Sequence, residues 1–204
     1  MRALLVLTCL LLPVLTWSES FLELVREATP STVQWAIDAG ADLKARDDEY
    51  GWTPLMHAAR KNQNAAVVQL LLDAGADIEA RDEGNFSPLI LAARFNEDPA
   101  VVQVLLDAGA NLEVLSNSHA GANWTALFHA AAWNESEVVQ ALIDAGANVE
   151  AREKYGATPL MFAARNNENA AVVQALLDAG ADATATNKDG ETAWDLIQEN
   201  EALE

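Results

Sequence analysis

The chain is short of both cysteine and positive charge. Its single cysteine, Cys9, lies inside an apolar N-terminal stretch, so the chain beyond that stretch has no thiol. This excludes disulfides, thiolate nucleophiles and cysteine metal sites in a mature protein. Only 12 Lys and Arg oppose 31 Asp and Glu, for a net charge of -19. Such a charge repels phosphate backbones, so we expect no nucleic-acid partner.

Long apolar runs are also missing, apart from the almost wholly apolar stretch from Ala3 to Leu15. A helix needs about 20 residues to cross a bilayer, so we expect no membrane span. With Arg2 before the stretch and small residues after it, residues 1–20 have the form of a secretory signal peptide that is cleaved before Phe21. We expect export by the ordinary secretory route, to a periplasm or out of the cell.

The strongest pattern that is present is an Asp-Ala-Gly-Ala-Asp/Asn box, which occurs five times. Its glycines recur every 34 to 37 residues, at Gly40, Gly75, Gly109, Gly146 and Gly180. A second phrase, Thr-Pro-Leu or a close variant, follows each box and begins at Thr53, Ser87, Thr125, Thr158 and Thr192. A fixed period of this size predicts stacked structural repeats.

Each repeat is predicted to hold two helices. In the second unit Thr53 can cap a helix that starts at Pro54, and Asn62 ends it in the left-handed conformation that asparagine tolerates. A second helix spans residues 65–73, capped by Asn64, with apolar residues at the spacing of one buried face. In the other units the corresponding second-helix caps are Asp98, Ser136 and Asn169, and Thr29 takes this place in the first.

The segment GWTPLMHAARKNQNAAVVQLLLDAGADIEAR, residues 51–81, resembles the ankyrin repeat. The resemblance covers essentially all of residues 21–204, and its motifs recur in the right order and period. It implies an all-α repeat solenoid of stacked helix-turn-helix repeats with projecting β-hairpin fingers. The histidine that the family places after Leu is replaced here, at Met56, Ile90, Phe128 and Met161, so an apolar side chain fills that position.

The period divides residues 21–204 into one repeat domain. An N-terminal cap spans 21–47, four full repeats span about 48–82, 83–120, 121–153 and 154–187, and a C-terminal half repeat spans 188–204. Terminal repeats of such arrays are usually atypical. In the half repeat we expect Trp194, Leu196 and Ile197 to cover the repeat before it.

The resemblance implies a concave partner-binding face, lined by finger residues before each Thr and by the end of each first helix. Aromatic residues and arginines gather at these positions, and both are frequent in binding hot spots. An apolar row at Trp52, Phe86 and Trp124 should run beside the basic residues, although tryptophans here could equally shield the fingers. The residues expected to contact a partner are Tyr50, Trp52, Arg60, Lys61, Phe86, Arg94, Phe95, Trp124, Trp133, Tyr155 and Arg165.

The finger after Gly109 is the longest, and its extra residues fall in 116–121, which include His119. His57 and His129 share one repeat position, about 20 Å apart at about 10 Å per helix, which is too far for joint metal ligation. We interpret both as surface or packing residues.

Asn85, Asn123 and Asn134 match the glycosylation pattern. The first two stand at a finger position that Gly51 and Gly156 take elsewhere, where a positive φ explains asparagine without a glycan.

No Gly-rich phosphate loop, His-Glu-x-x-His helix or serine elbow occurs, so we expect no enzyme, no cofactor and no metal site. The leading hypothesis is a non-enzymatic, monomeric scaffold that binds another protein. One alternative, by analogy with some exported bacterial ankyrin-like proteins, is a periplasmic accessory or protective factor for a haem enzyme such as catalase. Another is structural packing in an envelope assembly.

Overall fold

The computed structural model describes residues 17–117 and 123–198, with side chains from Phe21 onwards. This part of the chain forms eleven helices and one pair of two-residue strands. The helices are α1 Trp17–Leu24, α2 Pro30–Asp38, α3 Pro54–Lys61, α4 Ala65–Asp73, α5 Pro88–Phe95, α6 Pro99–Asp107, α7 Ala126–Trp133, α8 Ser136–Asp144, α9 Pro159–Asn166, α10 Ala170–Asp178 and α11 Ala193–Ile197. The strands are β1 Ser116–Asn117 and β2 Asn123–Trp124.

The helices stack in two layers, which confirms the predicted all-α repeat solenoid. First helices α3, α5, α7, α9 and α11 pack each against the next, and α1 packs on α3. Second helices α2, α4, α6, α8 and α10 do the same in the other layer. The core lies between the layers and runs along the stack, so each unit buries its apolar face only through its neighbours.

The capped starts of the helices follow the sequence prediction in most units. The Thr53 and Ser87 hydroxyls accept hydrogen bonds from the amides of Met56 and Ile90, at 3.4 and 3.2 Å. Asn64 and Asp98 cap the second helices in the same way. A cap satisfies backbone N–H groups that have no partner inside the helix. The four positions at which the family histidine is replaced are buried, as expected for apolar residues.

The boxes end the second helices and open the fingers. Each box glycine has φ between 88° and 92°, and the following alanine donates back to the third-last helical carbonyl, as Ala76 does to Leu71 at 2.9 Å. This is the glycine-dependent helix end known as the Schellman motif. The last box residue then accepts from the amide two residues on, as Asp77 does from Glu79 at 3.0 Å. The box therefore sets the backbone conformation at the end of each second helix and at the start of each finger.

A buried asparagine at the end of each first helix joins the units. Asn96 donates from Nδ2 to the Ala59 carbonyl at 2.9 Å and to the Asn62 carbonyl at 3.2 Å, both in the preceding unit. Its Oδ1 accepts from the Asp98 amide at 3.0 Å. Asn62, Asn134 and Asn167 repeat this pattern, each reaching back to two carbonyls of the unit before. We call these four residues the asparagine ladder.

A second ladder joins the fingers through carboxylates. Glu79 Oε1 accepts from the amide of Asn111 at 2.8 Å, Glu113 Oε1 accepts from Asn148, and Glu150 Oε1 accepts from Asp182. Each contact spans one repeat and is exposed to solvent. Part of the acidic charge is therefore structural, since a carboxylate is an effective acceptor for a backbone N–H.

Four local predictions were wrong. Asn62 does not take a left-handed conformation but is extended, with φ -79°, because its side chain joins the ladder. The cap of α8 is Glu135 rather than Ser136, and Glu135 makes no side-chain capping bond. Trp194 is 66% exposed, so Leu196 rather than Trp194 covers the last repeat. Asn123 lies in β2, whereas Asn85 has the expected positive φ, 58°.

The fingers are mostly tight loops rather than extended hairpins. The finger of the third unit is closed by the Asp82 amide donating to the Phe86 carbonyl at 3.2 Å. Only the finger with β1 and β2 forms paired strands within the described residues, with Ser116 opposite Trp124 and Asn117 opposite Asn123. Of the extra residues 116–121, the first two form β1, and residues 118–122, including His119, lie outside the described part of the chain. No helix in that part is long and apolar enough to cross a membrane.

The asparagine ladder predicts a large effect of one substitution. Asn96→Ala removes two buried hydrogen bonds and one partly buried one and leaves two carbonyls without this donor, so we expect a loss of about 2–4 kcal/mol in the free energy of unfolding. Urea unfolding followed by circular dichroism measures it. Asn166→Ala, which removes one exposed bond within α9, is the control and should change stability by less than about 0.5 kcal/mol. Equal effects of the two substitutions would contradict the ladder's role.

Candidate partner-binding face

The fingers and the last turns of the first helices form one surface, which we call the finger face. Most of the predicted partner-binding residues contact each other here. Tyr50 stacks on Trp52 with ring centroids 4.6 Å apart, and Trp124 lies 5.3 Å from Trp133. Two further rings, Phe86 and Phe95, lie between these pairs along the stack, in the third unit. The face therefore carries a nearly continuous aromatic surface across three repeats.

Two arginines lie among these rings rather than beside them. The Arg60 guanidinium is 4.7 Å from the centroid of Phe95 and 5.3 Å from that of Trp52. The Arg94 guanidinium is 4.9 Å from Phe95 and 4.6 Å from Trp133. Cation–π contacts of this kind are worth about 0.5–1 kcal/mol or more when partly desolvated. The rings and the two arginines are thus interleaved in one surface, which we call the strip. It consists of Tyr50, Trp52, Phe86, Phe95, Trp124 and Trp133 with Arg60 and Arg94.

The aromatic rings differ in how much of their surface is exposed to a partner. Trp52 is only 7% exposed: its Nε1 donates to Asp82 Oδ2 of the next finger at 2.7 Å, and its ring packs with Met56 and Leu91. In contrast, Phe95 is 43% exposed and Trp133 45% exposed, although both contact arginines. Trp52 therefore shields and joins two fingers, whereas Phe95 and Trp133 present apolar surface.

A groove of about 300 Å³ opens between the first two fingers of this face. Its apolar lining comes from Tyr50, Trp52, Phe86, Leu91 and Phe95, with Arg94 at the side. The carboxylates of Glu49, Asp82 and Glu83 complete the lining. Asp82 is already engaged, since its two oxygens accept from Trp52 Nε1 and from the Phe86 amide. Glu49 and Glu83 are exposed to water.

Tyr155 and Arg165 belong to a second groove of about 400 Å³, between the fingers that precede α9 and α11. Phe162, which the sequence prediction left out, also lines it. Its ring lies 4.6 Å from Trp124 and so connects the second groove to the strip. Lys61 is exposed at the end of α3 and lines neither groove.

His129 was interpreted as a surface or packing residue, and it is fully buried, with 0% of its surface exposed. Its Nε2 lies 2.8 Å from the Ser116 hydroxyl, which donates to the Trp124 carbonyl. Its ring contacts Phe86, Trp124 and Trp133. Burial, together with the nearby charge of Arg94, lowers the pKa of His129 to about 3, so the imidazole is neutral. His129 thereby ties the longest finger to α7.

His57 occupies the same position two repeats earlier and is also buried. Its Nδ1 accepts from Arg26 Nε at 3.1 Å, which leaves the proton on Nε2, 2.7 Å from the Asp47 carboxylate. Burial lowers the pKa of His57 and the charge of Arg26 adds to this effect, against the opposing influence of Asp47. The imidazole links the N-terminal cap to the first finger. Both histidines could be foreseen as buried, because Leu91 and Phe162 fill the same position elsewhere.

Both histidines are buried and contact partners within the protein. His57 contacts Arg26 and Asp47, and His129 Nε2 contacts the Ser116 hydroxyl. His129 Nδ1 has no hydrogen-bond partner among the described residues. Across residues 17–117 and 123–198, no group of three or more His, Cys, Asp or Glu side chains is arranged to hold a metal ion. His119 lies outside those ranges.

The environment of His129 predicts how this residue titrates. Its pKa of about 3 in the folded protein lies below the ordinary value near 6.5, so the unfolded chain binds a proton first as the pH falls. Between pH 6.5 and 3 this residue should remove about 1.4 kcal/mol of stability per pH unit, and none above pH 6.5. ¹⁵N chemical shifts of the imidazole should show it neutral at pH 4.5 in native protein and titrating near 6.5 in urea.

The control for this titration is His129→Leu. Leucine is the residue that the third unit has at the equivalent position, Leu91. Its unfolding free energy should fall less steeply over the same pH range. A native His129 that protonates above pH 5 would contradict the assignment of a buried, neutral imidazole.

Comparison with known proteins agrees with the architecture. A family model described as Ankyrin repeats (3 copies) matches residues 22–116 and 111–187. No curated protein matches the chain. The matched residues cover most of the chain and include all five boxes, Thr53, Ser87, Thr125 and Thr158, and the whole of the strip. The chain therefore belongs to the ankyrin-repeat family.

Proposed function

We propose that this protein is a non-enzymatic interaction module that binds another protein through its finger face. Ankyrin repeats generally serve as protein–protein interaction modules. The observation that carries the proposal is the strip itself, in which Phe95 contacts both Arg60 and Arg94, Trp133 contacts Arg94, and both rings expose nearly half of their surface. Exposed aromatic residues beside arginine are the composition of binding hot spots.

The strip is pre-organised for binding. Arg60 and Arg94 each contact two or more rings, which limits the rotamers of rings and guanidinium groups before a partner arrives. Immobilising a flexible side chain on association costs about 0.5–1.5 kcal/mol, and a surface that is already ordered avoids much of this cost. The two grooves beside the strip add concave apolar surface of the kind that receives a partner's side chains.

Two features support a binding role over catalysis. The buried pair of Ser116 and His129 is closed to solvent, so its hydroxyl cannot reach a substrate. In the first groove, Asp82 is held by two donors, and Glu49 and Glu83 lie exposed rather than desolvated as a tuned acid or base would be. The side chains therefore offer contact surface rather than reactive groups.

We also propose that the chain is exported through residues 1–20 and works as a monomer outside the cytoplasm. Cleavage before Phe21 would remove the first four residues of α1, Trp17–Leu24, and keep the last four. The core residues Phe21 and Leu22, which are 4% exposed, and Val25, which is fully buried, would remain in the mature chain. The net charge of -19 favours solubility and disfavours nucleic acid as a partner.

The binding face is tested by affinity capture with purified protein as bait in its native compartment. The double variant Phe95→Ala/Trp133→Ala should lose at least about 90% of a specifically captured partner, since hot-spot truncations cost about 2 kcal/mol or more. The matched control is Trp35→Ala/Leu177→Ala, which removes apolar residues of similar exposure, 42% and 37%, from the second-helix layer. A partner that the control loses and the face variant keeps would place binding on the other layer.

Export is tested by mass spectrometry of the protein recovered from its producing cells. The expected N-terminus is Phe21, and the expected solution mass is that of one chain. A cytoplasmic protein that retains residues 1–20 would contradict export, and a stable dimer would contradict the monomer.

A further inference from the structure

Arg60 and Arg94, the two arginines of the strip, have no ionic partner among the described residues, although the protein is rich in acidic residues. Among the described residues, no carboxylate lies within 4.0 Å of the guanidinium of Arg60 or Arg94, whereas Arg26 and Arg81 each have one. The nearest undescribed segment along the chain, residues 118–122, contains neither Asp nor Glu. Within residues 21–117 and 123–198, therefore, neither arginine has a carboxylate partner.

This arrangement has an energetic cost. The Nε atom of Arg60 is buried and has no hydrogen-bond partner among the described residues. Arg94 is partly buried beside Arg60, and burial together with the like charge lowers the pKa of Arg94. A buried donor without a partner is unfavourable, and more so when it is charged. Aromatic faces compensate part of the charge but accept few of the ten N–H donors of the two guanidinium groups.

We propose, on the basis of the proposed function, that Arg60 and Arg94 form a clamp for a carboxylate of the partner protein, next to an apolar partner side chain on Phe95 or Trp133. A carboxylate between the two guanidinium groups removes their mutual repulsion and accepts from their free N–H groups. The partner segment is acidic and apolar, with Asp or Glu beside a large hydrophobic residue.

Local charge favours this occupant over a basic segment. Lys or Arg on the strip would meet two guanidinium groups that are already partly desolvated, and like-charge contact of this kind is unfavourable. Three carboxylates, those of Glu49, Asp82 and Glu83, line the groove beside Arg94. Asp82 is already held by two donors, and Glu49 and Glu83 are exposed, so water and salt weaken their repulsion of an acidic partner. Contact with the clamp therefore decides the sign of the partner's charge.

The clamp is tested by NMR titration of the ¹⁵N-labelled protein from Phe21 to its C-terminus. The probes are acetyl-Gly-Glu-Phe-Leu-Glu-Gly-amide and the same peptide with Gln in place of both Glu. The Glu peptide should shift the Nε–H signals of Arg60 and Arg94 and the indole signal of Trp133. The Gln peptide should bind at least about tenfold more weakly, because a hydrogen bond to a charged group contributes about 1.5–3 kcal/mol.

Variants separate the clamp from general charge. Arg60→Gln/Arg94→Gln should abolish the preference for Glu, and Arg60→Lys/Arg94→Lys should retain part of it, because lysine keeps the charge but loses the planar donor fork. Lys44→Gln/Lys188→Gln removes two exposed charges outside the strip and should keep the full preference. Unchanged methyl signals report that each variant is folded.

Each outcome decides the proposal. Equal binding of the two peptides to the unmodified protein would overturn the clamp and leave the finger face as a binding surface. Loss of the preference for Glu in Lys44→Gln/Lys188→Gln would do the same. Failure of both peptides to bind would also overturn the clamp, while the capture experiment still judges the face. Sodium acetate that produces the same shifts at the same concentration as the peptide would show a site for free anions and not for a protein segment.

Discussion

The asparagine ladder is the constraint on which the rest of the structure depends. Helix pairs of eight and nine residues are too short to be stable alone, so each unit needs its neighbours in a fixed register. Apolar packing supplies most of the attraction but is not directional. The amide of Asn96, which can satisfy its donors only against two particular carbonyls, adds the direction. Because it is buried, any other register would leave it without partners.

The finger face follows from that register. When neighbouring units are fixed, the end of α3 lies beside the end of α5, and Arg60 therefore reaches Phe95 across the repeat boundary. Arg94 reaches Trp133 in the same way across the next one. The buried histidines connect two of the fingers to the first helices, because His57 contacts Asp47 and His129 contacts Ser116. The surface thus depends on contacts between units, and a single repeat would not reproduce it.

The sequence predicted the scaffold better than the site because the two rest on different kinds of information. The start of α3 at Pro54 and the span of α4 follow from local caps and spacing, which repeat and can be read in any unit. The conformation of Asn62 could not be predicted in this way, since its reason lies 37 residues earlier, at the carbonyl of Val25. For the same reason Trp52 and Phe95 were both predicted to contact a partner, although the next finger buries Trp52 and Phe95 stays exposed.

The ladder also gives the stack a direction. Every asparagine of the ladder donates towards the N-terminus, so the carbonyls that accept from it are synthesised before it. During synthesis on the ribosome each new unit can close against a surface that already exists. Within the ladder, loss of a C-terminal unit would leave two carbonyls without a donor, which water can solvate, whereas removal of the first unit would strand the amide of Asn62. The hydrogen bonds of the ladder therefore tolerate loss of a unit at the C-terminal end better than at the N-terminal end.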